Sequence, residues 1–459
     1  MNVSKKSAKI LDLLARYESR NVTYMERDGS WPIVWDRAKD VWVWDAEGGK
    51  YLDLTAGFGV AAAGHANPKV VQAGRAQMAR LLHAMGDVHP HARKAELARE
   101  LSRITFERWG AVGGPRSGGR SAMPSAPGEG AKTIFCNSGF EAVEAAMKTA
   151  ILATGRRGVI AFHGAYHGLG YGALNVTHRD FFRAPFEAQL RQFAGFARFP
   201  MAAADLAVVE FQIRNFFRRG WIGAVLVEPV QTRGGVNVPP PEFLPLLRRL
   251  CDEFGALLIL DEIYTGFGRT GRWFACEHSG VTPDLICLGK ALTGGFPLSA
   301  CVGRAALMDA AWPASAGEAI HTSTFLGHPV GCAMALAQIA EIERLKLPRA
   351  AAELGKFLLA ELAGISGGRF QTTARGMGLL AGIELRRRDG AAAAAETPGI
   401  VKALLRKGYI ALPEGAEGNV ISLTPPLTIT RGHLADAIGA IAETVAAGTG
   451  RTGPRQERQ

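Results

Sequence analysis

A carboxylate and a lysine each follow a short apolar run in the middle of the chain. Asp261 follows the run 257–260, and Lys290 follows the run 285–288 and one glycine. A lysine removed from water at the end of a rigid strand has a lowered amine pKa, so it can form a Schiff base with an aldehyde and act as a base. A carboxylate beside it can keep a bound pyridine nitrogen protonated, which makes the ring an electron acceptor. The pair therefore predicts pyridoxal phosphate chemistry, with Lys290 and Asp261 as catalytic residues.

A phosphate-binding segment is predicted just after an earlier apolar run. Asn137, Ser138, Gly139 and Phe140 follow the run 133–136 and precede a helical pattern over 141–153. The free backbone N–H groups and the positive end of the helix dipole bind anions, and the Ser138 hydroxyl can add a further donor. The segment is therefore expected to hold the cofactor's phosphate.

Each of these residues also has an ordinary structural explanation when it is taken alone. Lys290 could be a strand-end lysine whose amine reaches water, and Asp261 could cap the turn that follows it. Asn137 or Ser138 could simply cap the next helix. Their joint occurrence in one chain favours the cofactor site.

These side chains need a rigid sheet, and six short apolar runs indicate one. The runs are 133–136, 158–162, 222–227, 256–260, 285–288 and 298–302. Strands that are apolar on both faces and separated by helical patterns indicate a largely parallel sheet covered on both sides, as in an α/β fold. Ligands of such sheets bind at the carboxyl ends of the strands. We expect Ser138, Glu228, Asp261 and Lys290 to lie at that edge.

The length of 459 residues is too great for one compact core and predicts two domains. We assign 1–60 and 341–448 to a small domain and 61–340 to a large cofactor-binding domain. The stretch 110–130 is rich in glycine, serine and proline, so we expect a mobile insertion there, and we expect a disordered tail at 449–459. Within these limits the pattern predicts a helix in 1–20, a hairpin over 41–54, helices near 70–85, 93–108 and 331–345, and a strand over 375–385.

Composition limits the class of protein. With 47% hydrophobic and 21% charged residues the chain is typical of a globular enzyme, and no run approaches the roughly 18 apolar residues of a membrane span. The net charge of +11 is spread along the chain, which favours a basic surface over nucleic-acid binding. The six cysteines show no C-x-x-C spacing, and no export signal is recognised at the first residues. We expect a cytoplasmic protein without nucleic-acid or membrane partners.

Two apparent motifs are rejected. The segment 266–271 matches G-x-G-x-x-G, but it is separated from the preceding strand and is not followed by a helical pattern. His163 and His167 have the spacing of a zinc-binding helix, but glycines surround them and the acid of H-E-x-x-H is missing. We therefore expect neither a dinucleotide site nor a metal site.

Several motifs in this order resemble those of the class III aminotransferases, a branch of the fold type I pyridoxal-phosphate enzymes. The resemblance spans about 52–426. Its motifs are 137–144 (NSGFEAVE), 166–168 (YHG), 228–231 (EPVQ), 261–271, 283–292 and 323–329 (STFLGHP). The resemblance implies an α/β fold, with a large domain whose mostly parallel sheet lies between helices. It also implies a smaller α+β domain built from both chain ends.

The resemblance also implies a role for each matching residue. Lys290 would bind the cofactor covalently, and Asp261 would pair with its pyridine nitrogen. Thr324 would reach the phosphate of the neighbouring subunit, which implies a homodimer. The remaining cofactor-binding residues would be Ser138, Gly139 and Phe140 at the phosphate, Tyr166 stacked on the ring, Gln231 near the ring hydroxyl, and Glu228 of the same motif.

The activity implied by the resemblance is ping-pong transfer of an amino group from an amino acid or amine donor to an oxo acid. A racemase or epimerase, an aminomutase or an ammonia lyase of the same fold shares the early chemistry and stays open as an alternative. A regulator without catalysis would need a DNA-binding module, and residues 1–40 are too few and too poorly patterned for one.

The chain departs from the family pattern at two positions near the expected substrate. Many members that act on α-amino acids have an arginine three residues before Pro-Pro, which binds a carboxylate, and this chain has Ser422 there. Many also have a glutamate two residues after the motif glutamine, and this chain has Arg233 there. Both changes weaken an assignment to the 4-aminobutyrate, ornithine or acetylornithine enzymes. One hypothesis is that Arg233 binds the substrate's acidic group; the alternative is that it pairs with Glu228 or a surface acid.

Overall fold

The computed structural model describes residues 5–26, 29–111, 130–190 and 193–448. Most of the predicted insertion at 110–130 and the whole predicted tail at 449–459 lie outside these residues. Within them, fifteen strands form three sheets. The strands are β1 (Trp35–Lys39), β2 (Trp42–Asp45), β3 (Lys50–Asp53), β4 (Ala131–Cys136), β5 (Gly158–Phe162), β6 (Ala194–Ala197), β7 (Ile222–Val227), β8 (Leu257–Asp261), β9 (Leu285–Leu288), β10 (Ser299–Arg304), β11 (Phe370–Met377), β12 (Leu380–Arg387), β13 (Tyr409–Ile410), β14 (Leu412–Glu414) and β15 (Val420–Leu423).

Helices cover both faces of the largest sheet. The helices of the described residues are α1 (Lys5–Tyr17), α2 (Ala56–Gly59), α3 (Pro68–Arg80), α4 (Ala92–Ser102), α5 (Arg108–Ala111), α6 (Gly139–Thr154), α7 (Tyr171–Val176), α8 (Asp180–Arg183), α9 (Leu206–Arg218), α10 (Phe243–Phe254), α11 (Ala305–Ala311), α12 (Pro329–Arg344), α13 (Leu347–Ala363), α14 (Thr397–Arg406) and α15 (Arg431–Ala447). A π-helical turn, Arg103–Glu107, separates α4 from α5.

The central sheet has seven strands in the order β4-β10-β9-β8-β7-β5-β6. All its strands run parallel except β10, which is antiparallel to both of its neighbours. Alternate residues of β8 face opposite cores: Leu258 and Leu260 belong to the core on the side of α10, whereas Leu257 and Ile259 belong to the core on the side of α6. Burial on both faces explains why these strands are apolar throughout. The predicted α/β class and mostly parallel sheet are confirmed.

The six predicted strands are all present in this sheet, and the sequence missed the seventh. Strand β6 is a short stretch of alanine, glycine and one phenylalanine, which carries little strand signal. The reversed direction of β10 was not predicted either. Only residues 289–298 separate it from β9, and this connection contains no helix long enough for a parallel crossover, so an antiparallel partner results.

Two four-stranded sheets are built from the chain ends. In one, β13 pairs in parallel with β3, which joins the N-terminal and C-terminal segments directly. The predicted hairpin over 41–54 is confirmed by the antiparallel pair of β2 and β3. The predicted single strand over 375–385 is wrong, because Gly378 turns the chain with a φ of +60° and makes the antiparallel hairpin of β11 and β12. The proposed domain boundaries stay predictions.

Helix ends differ from the periodic patterns where local chemistry stops the helix. The patterns over 141–153 and 331–345 correspond to α6 and α12. The pattern over 70–85 ends at Arg80, because Leu81 is extended. The pattern over 93–108 is interrupted after Ser102 by the π-helical turn. Hydrophobic spacing thus located these helices, although it did not fix their ends.

Candidate active site

A cavity of about 370 Å³ opens at the carboxyl ends of the parallel strands. Strands β7, β8 and β9 lie side by side, and Glu228, Asp261 and Lys290 lie at or just beyond their carboxyl ends. The predicted sheet edge therefore does bring these three residues together. The lining residues are Gly139, Phe140, Tyr166, His167, Gly168, Leu169, Glu228, Val230, Arg233, Asp261, Ile263, Tyr264 and Lys290.

Lys290 is held in an unusual conformation at this edge. Its φ of +40° lies in the left-handed region, which a non-glycine residue adopts at an energetic cost and which occurs often at functional sites. Burial lowers the pKa of its amine below the ordinary value, and the nearby Asp261 and Glu228 act in the opposite direction. The amine nitrogen lies 4.6 Å from the centre of the Tyr264 ring.

Asp261 is buried, and two donors fix its carboxylate. Its Oδ1 accepts a hydrogen bond from the backbone N–H of Ile263 at 3.1 Å. Its Oδ2 lies 2.8 Å from Nδ1 of the buried His167, which donates because an ionised carboxylate only accepts. A carboxylate held in this way keeps one orientation toward the cavity.

The predicted phosphate-binding segment begins α6 and carries an unsatisfied hydroxyl. Oγ of Ser138 is buried and has no hydrogen-bond partner among the described residues. The Glu141 carboxylate accepts the backbone N–H groups of Asn137 at 2.6 Å and of Ser138 at 3.1 Å. Ser299 fixes the same turn by donating to the Ser138 carbonyl at 2.6 Å. A buried hydroxyl without a partner is costly, so its place at a helix N-terminus fits an anionic group.

Close packing explains the glycine of this segment. A Cβ on Gly139 would lie 2.9 Å from Cδ1 of Ile263, a cavity residue, so a larger residue would have to displace that side chain. Phe140 lines the cavity beside Gly139. Gly139 and Phe140 therefore lie at the cavity, and their contact with a phosphate stays a prediction.

Tyr166 and Glu228 form the next wall. The backbone N–H of Tyr166 donates to Oε1 of Glu228 at 2.9 Å. Burial raises the pKa of Glu228 to about 7. The Tyr166 ring lines the cavity and packs edge-on against Phe182 at 5.5 Å between ring centres. Its position is compatible with stacking on a bound ring, which stays a prediction.

Four predicted residues are not among those that line the cavity, namely Ser138, Gln231, Ser422 and Thr324. The Gln231 amide donates to the carbonyl of His163 at 2.8 Å and accepts from Asn237 at 3.1 Å, so both of its ends are engaged. Ser422 is buried in β15, opposite Gly382 and Leu412. Thr324 is exposed on the loop before α12. The predicted contacts of these residues are untested by this structure.

Arg233 pairs with an acid that the sequence interpretation did not name. Its Nε lies 3.4 Å from Oε2 of Glu414, a buried residue at the end of β14. The alternative that Arg233 pairs with Glu228 or a surface acid is therefore not what the described residues show. The Arg233 guanidinium also lies 4.9 Å from the centre of the Tyr166 ring. Burial raises the pKa of Glu414 to about 7, against the opposite effects of Arg233, Arg179 and Lys290.

Sequence reasoning missed His167, Tyr264 and Glu414. In sequence His167 stands out only through its zinc-like spacing from His163, although it also follows Tyr166 in the motif 166–168. Tyr264 lies within the Asp261 motif, and its hydroxyl makes a 3.1 Å hydrogen bond with the hydroxyl of Thr424. Glu414 carried no usable signal, because it lies on a three-residue strand far from the other site residues in sequence.

Two negative findings apply to the described residues only. There, no three His, Cys, Asp or Glu side chains are grouped as metal ligands would be. None of the helices within the same ranges combines the length and apolarity that crossing a membrane requires.

Comparisons with known proteins agree with this geometry. A family model described as "Aminotransferase class-III" matches residues 23–445. The putrescine aminotransferase of Pectobacterium atrosepticum is 39% identical over 395 residues, covering 84% of this chain and 76% of the relative. The acetylornithine aminotransferase of Methanosarcina mazei is 36% identical over 417 residues, covering 91% and 93%.

A solved structure extends the agreement to three dimensions. An amine transaminase from an uncultivated Pseudomonas species, solved in its pyridoxal-phosphate-bound form, matches with a TM-score of 0.79 and 28% identity, covering 94% of this chain and 98% of that one. The family and this structure imply pyridoxal phosphate as the cofactor. The chain belongs to the class III aminotransferases.

Proposed function

We propose that the cavity binds pyridoxal phosphate through Lys290 and that Arg233 selects substrates by binding a carboxylate. The observation that carries the proposal is the arrangement at one sheet edge of a desolvated lysine, a carboxylate fixed by two donors, and a buried serine hydroxyl without a partner. These groups fit the aldehyde, the ring nitrogen and the phosphate of the cofactor. Ser138, Gly139 and Phe140 would hold the phosphate, Asp261 the ring nitrogen, and Tyr166 one face of the ring.

Different residues of the chain then have different roles in proton transfer. When bound, the cofactor supplies an aldehyde that exchanges amines and a ring that accepts electrons. Burial favours the neutral amine of Lys290, so its nitrogen can take a proton from the substrate carbon and deliver it elsewhere. Asp261 would keep the ring nitrogen protonated, because His167 and the N–H of Ile263 fix the orientation of its carboxylate. Tyr166, Val230 and Ile263 line the cavity and would limit the access of water.

Arg233 is the proposed contact for the far end of the substrate. It lines the same cavity as Lys290, and within the described residues its guanidinium donates no hydrogen bond. Its ion pair with Glu414, 3.4 Å at Nε, does not meet hydrogen-bond geometry. Free guanidinium donors can bind a carboxylate in a bidentate way. The two relatives are named for putrescine, a diamine, and for acetylornithine, a carboxylic acid, so both kinds of donor are reasonable candidates.

We also propose a homodimer in which Thr324 contacts the cofactor phosphate of the neighbouring subunit. The loops 81–88 and 320–325 lie against each other, since Thr322 donates to Asp87 at 2.6 Å and His83 packs on Phe325. They expose a group of large apolar side chains, which indicates a protein contact. These side chains are Leu82, Met85, Val88, Ile320 and Phe325. The six unpaired cysteines support our further proposal that the protein is cytoplasmic.

The test screens amino donors against pyruvate and 2-oxoglutarate while the cofactor absorbance is followed. Amino transfer predicts that a donor alone changes the cofactor absorbance once, without further turnover. Addition of an oxo acid should then restore the original absorbance. Release of a ketone over many turnovers without an oxo acid would contradict amino transfer. Arg233→Ala should lower the turnover of acidic donors selectively, with Arg233→Lys as the charge-retaining control. An equal loss for acidic and non-acidic donors would show that Arg233 does not bind the carboxylate.

A further inference from the structure

We propose that Glu414 and Arg179 act with Arg233 as a charge-selective receptor for the substrate end away from the reacting amine. In this receptor the two arginines bind a carboxylate, and Glu414 admits donors whose far end is an ammonium or is uncharged. The inference rests on the proposed role of Arg233 and extends it to two residues that the sequence did not single out.

The side chains of Arg233 and Glu414 interact weakly, whereas a backbone hydrogen bond holds their two segments together. The 3.4 Å approach involves one guanidinium nitrogen and does not meet hydrogen-bond geometry. The backbone N–H of Gly415 donates to the carbonyl of Arg233 at 3.2 Å, which fixes the Arg233 turn against the end of β14. The side chains can therefore separate while the main chain stays in place, so a substrate carboxylate can replace Glu414 on Arg233.

Arg179 brings a second positive charge within electrostatic range of Arg233 and Glu414, from outside the residues that line the cavity. It is half-buried just before α8, and its guanidinium packs over Phe182, whose ring is packed edge-on against Tyr166. No carboxylate of the described residues forms an ion pair with it. Burial and the proximity of Arg233 lower the pKa of Arg179, whereas Glu414 raises it. Two half-buried arginines and one glutamate leave one positive charge in excess among these three residues. A substrate carboxylate would compensate it.

The protonation state of Glu414 determines whether a carboxylate or an ammonium group of the substrate binds here. The charged groups around it are Arg233, Arg179 and Lys290, and Tyr166 and Tyr264 lie within electrostatic range. Burial raises its pKa to about 7, so both protonation states are accessible near neutral pH. Protonated Glu414 leaves Arg233 to the substrate's carboxylate. Ionised Glu414 neutralises Arg233 and can accept hydrogen bonds from an ammonium group.

The arrangement reverses the order of charges expected from the family pattern. The arginine lies on the turn after β7, where many members have glutamate, and the acid lies on the C-terminal segment, where they have arginine. Glu414 lies on β14, which pairs directly with the strand that carries Ser422. An arginine after β7 and an acid on β14 therefore lie within 3.4 Å of each other, although the acid is at position 414 and not at the position of Ser422, and this pairing supports a role in selectivity for both residues.

The test compares three donors of the same chain length on the holoenzyme: 4-aminobutyrate, 1-aminobutane and 1,4-diaminobutane. The variant Glu414→Gln removes the charge with little change of shape, and Glu353→Gln makes the same change at an exposed ion pair on α13 as the control. The ratio of kcat/KM for 4-aminobutyrate to that for 1,4-diaminobutane should rise about tenfold in Glu414→Gln and should stay at the wild-type value in Glu353→Gln. Arg179→Gln should lower the same ratio.

Binding of butanoate, which has no amine to transfer, makes the test independent of turnover. Calorimetry on the same holoenzymes should show about tenfold tighter binding in Glu414→Gln and weaker binding in Arg179→Gln. Unchanged affinity and an unchanged ratio in Glu414→Gln would overturn the inference, as would an effect of equal size in Glu353→Gln. If butanoate affinity stayed unchanged in Arg233→Ala as well, the proposed role of Arg233 would be wrong. If Arg233→Ala weakened butanoate binding while Glu414→Gln and Arg179→Gln did not change it, the role of Arg233 would stand and only the inference about Glu414 and Arg179 would be wrong.

Discussion

Nδ1 of His167 lies 2.8 Å from Oδ2 of Asp261, and both side chains are buried. This hydrogen bond joins the loop after β5 to the end of β8, two strands of the central sheet that are separated by β7. It holds the carboxylate from one side while the backbone N–H of Ile263 holds it from the other. His167 is therefore a positioning residue that acts through Asp261.

Asp261→Asn should lower kcat about 100- to 1,000-fold and leave bound cofactor in place, because the amide no longer stabilises positive charge on the ring nitrogen. Cofactor content and single-turnover conversion by a donor measure the two effects separately. His167→Ala should lower kcat by less, and His167→Asn, which retains a donor, should recover part of the loss. An Asp261→Asn enzyme with wild-type kcat would exclude the proposed role of this carboxylate.

Ser138→Ala should weaken binding of pyridoxal phosphate about tenfold or more, because the buried hydroxyl loses its contact with a charged phosphate. Titration of the apoenzyme, followed by the cofactor absorbance, measures the dissociation constant. Pyridoxal without a phosphate is the matched control, and its affinity should change little. A similar loss for both compounds would indicate a general disturbance of the turn before α6.

Binding of carboxylates should depend on pH through Glu414. Its pKa is raised to about 7, so the side chain is protonated below that pH and leaves Arg233 free, whereas above it the ionised group competes for Arg233. Butanoate should therefore bind more tightly at pH 6 than at pH 8. Glu228 also titrates near 7, so Glu414→Gln is the necessary control and should flatten the dependence. A profile that persists in Glu414→Gln would assign it to another group.

Thr324→Ala should also weaken binding of pyridoxal phosphate and leave binding of pyridoxal nearly unchanged, provided that the residue reaches a phosphate across a dimer interface. Sedimentation should give the mass of a dimer for the holoenzyme. A fully active monomer would contradict the proposed assembly. The exposed position of Thr324 in the single chain accords with a contact made to a second subunit.

The sequence predicted those parts of the site that depend on local patterns. Apolar runs located the strands, and each strand end placed its following residue at one edge, so Asp261, Lys290 and Ser138 could be named. Long-range packing could not be inferred in the same way. Nothing near Glu414 in sequence indicates that β14 brings it to Arg233. The spacing of His163 and His167, which we reject as a metal site, gives no indication that His167 contacts Asp261.

The direction of a strand and the position of a turn were equally hard to predict from the sequence. An apolar run reads alike for a parallel and an antiparallel strand, so the reversed β10 could not be recognised. The hairpin of β11 and β12 resembles one strand in sequence, because its turn consists only of Gly378 and Leu379 and the apolar Leu379 continues the strand pattern. These features depend on pairing partners, which periodicity does not reveal.

Borohydride reduction of the holoenzyme, followed by mass spectrometry of its peptides, tests the central role of Lys290 most directly. Reduction converts the double bond between cofactor and lysine into a stable single bond. We predict one adduct per chain, on the peptide that contains Lys290, and no adduct in Lys290→Ala. An adduct on another lysine, or none in cofactor-saturated protein, would contradict the proposed site.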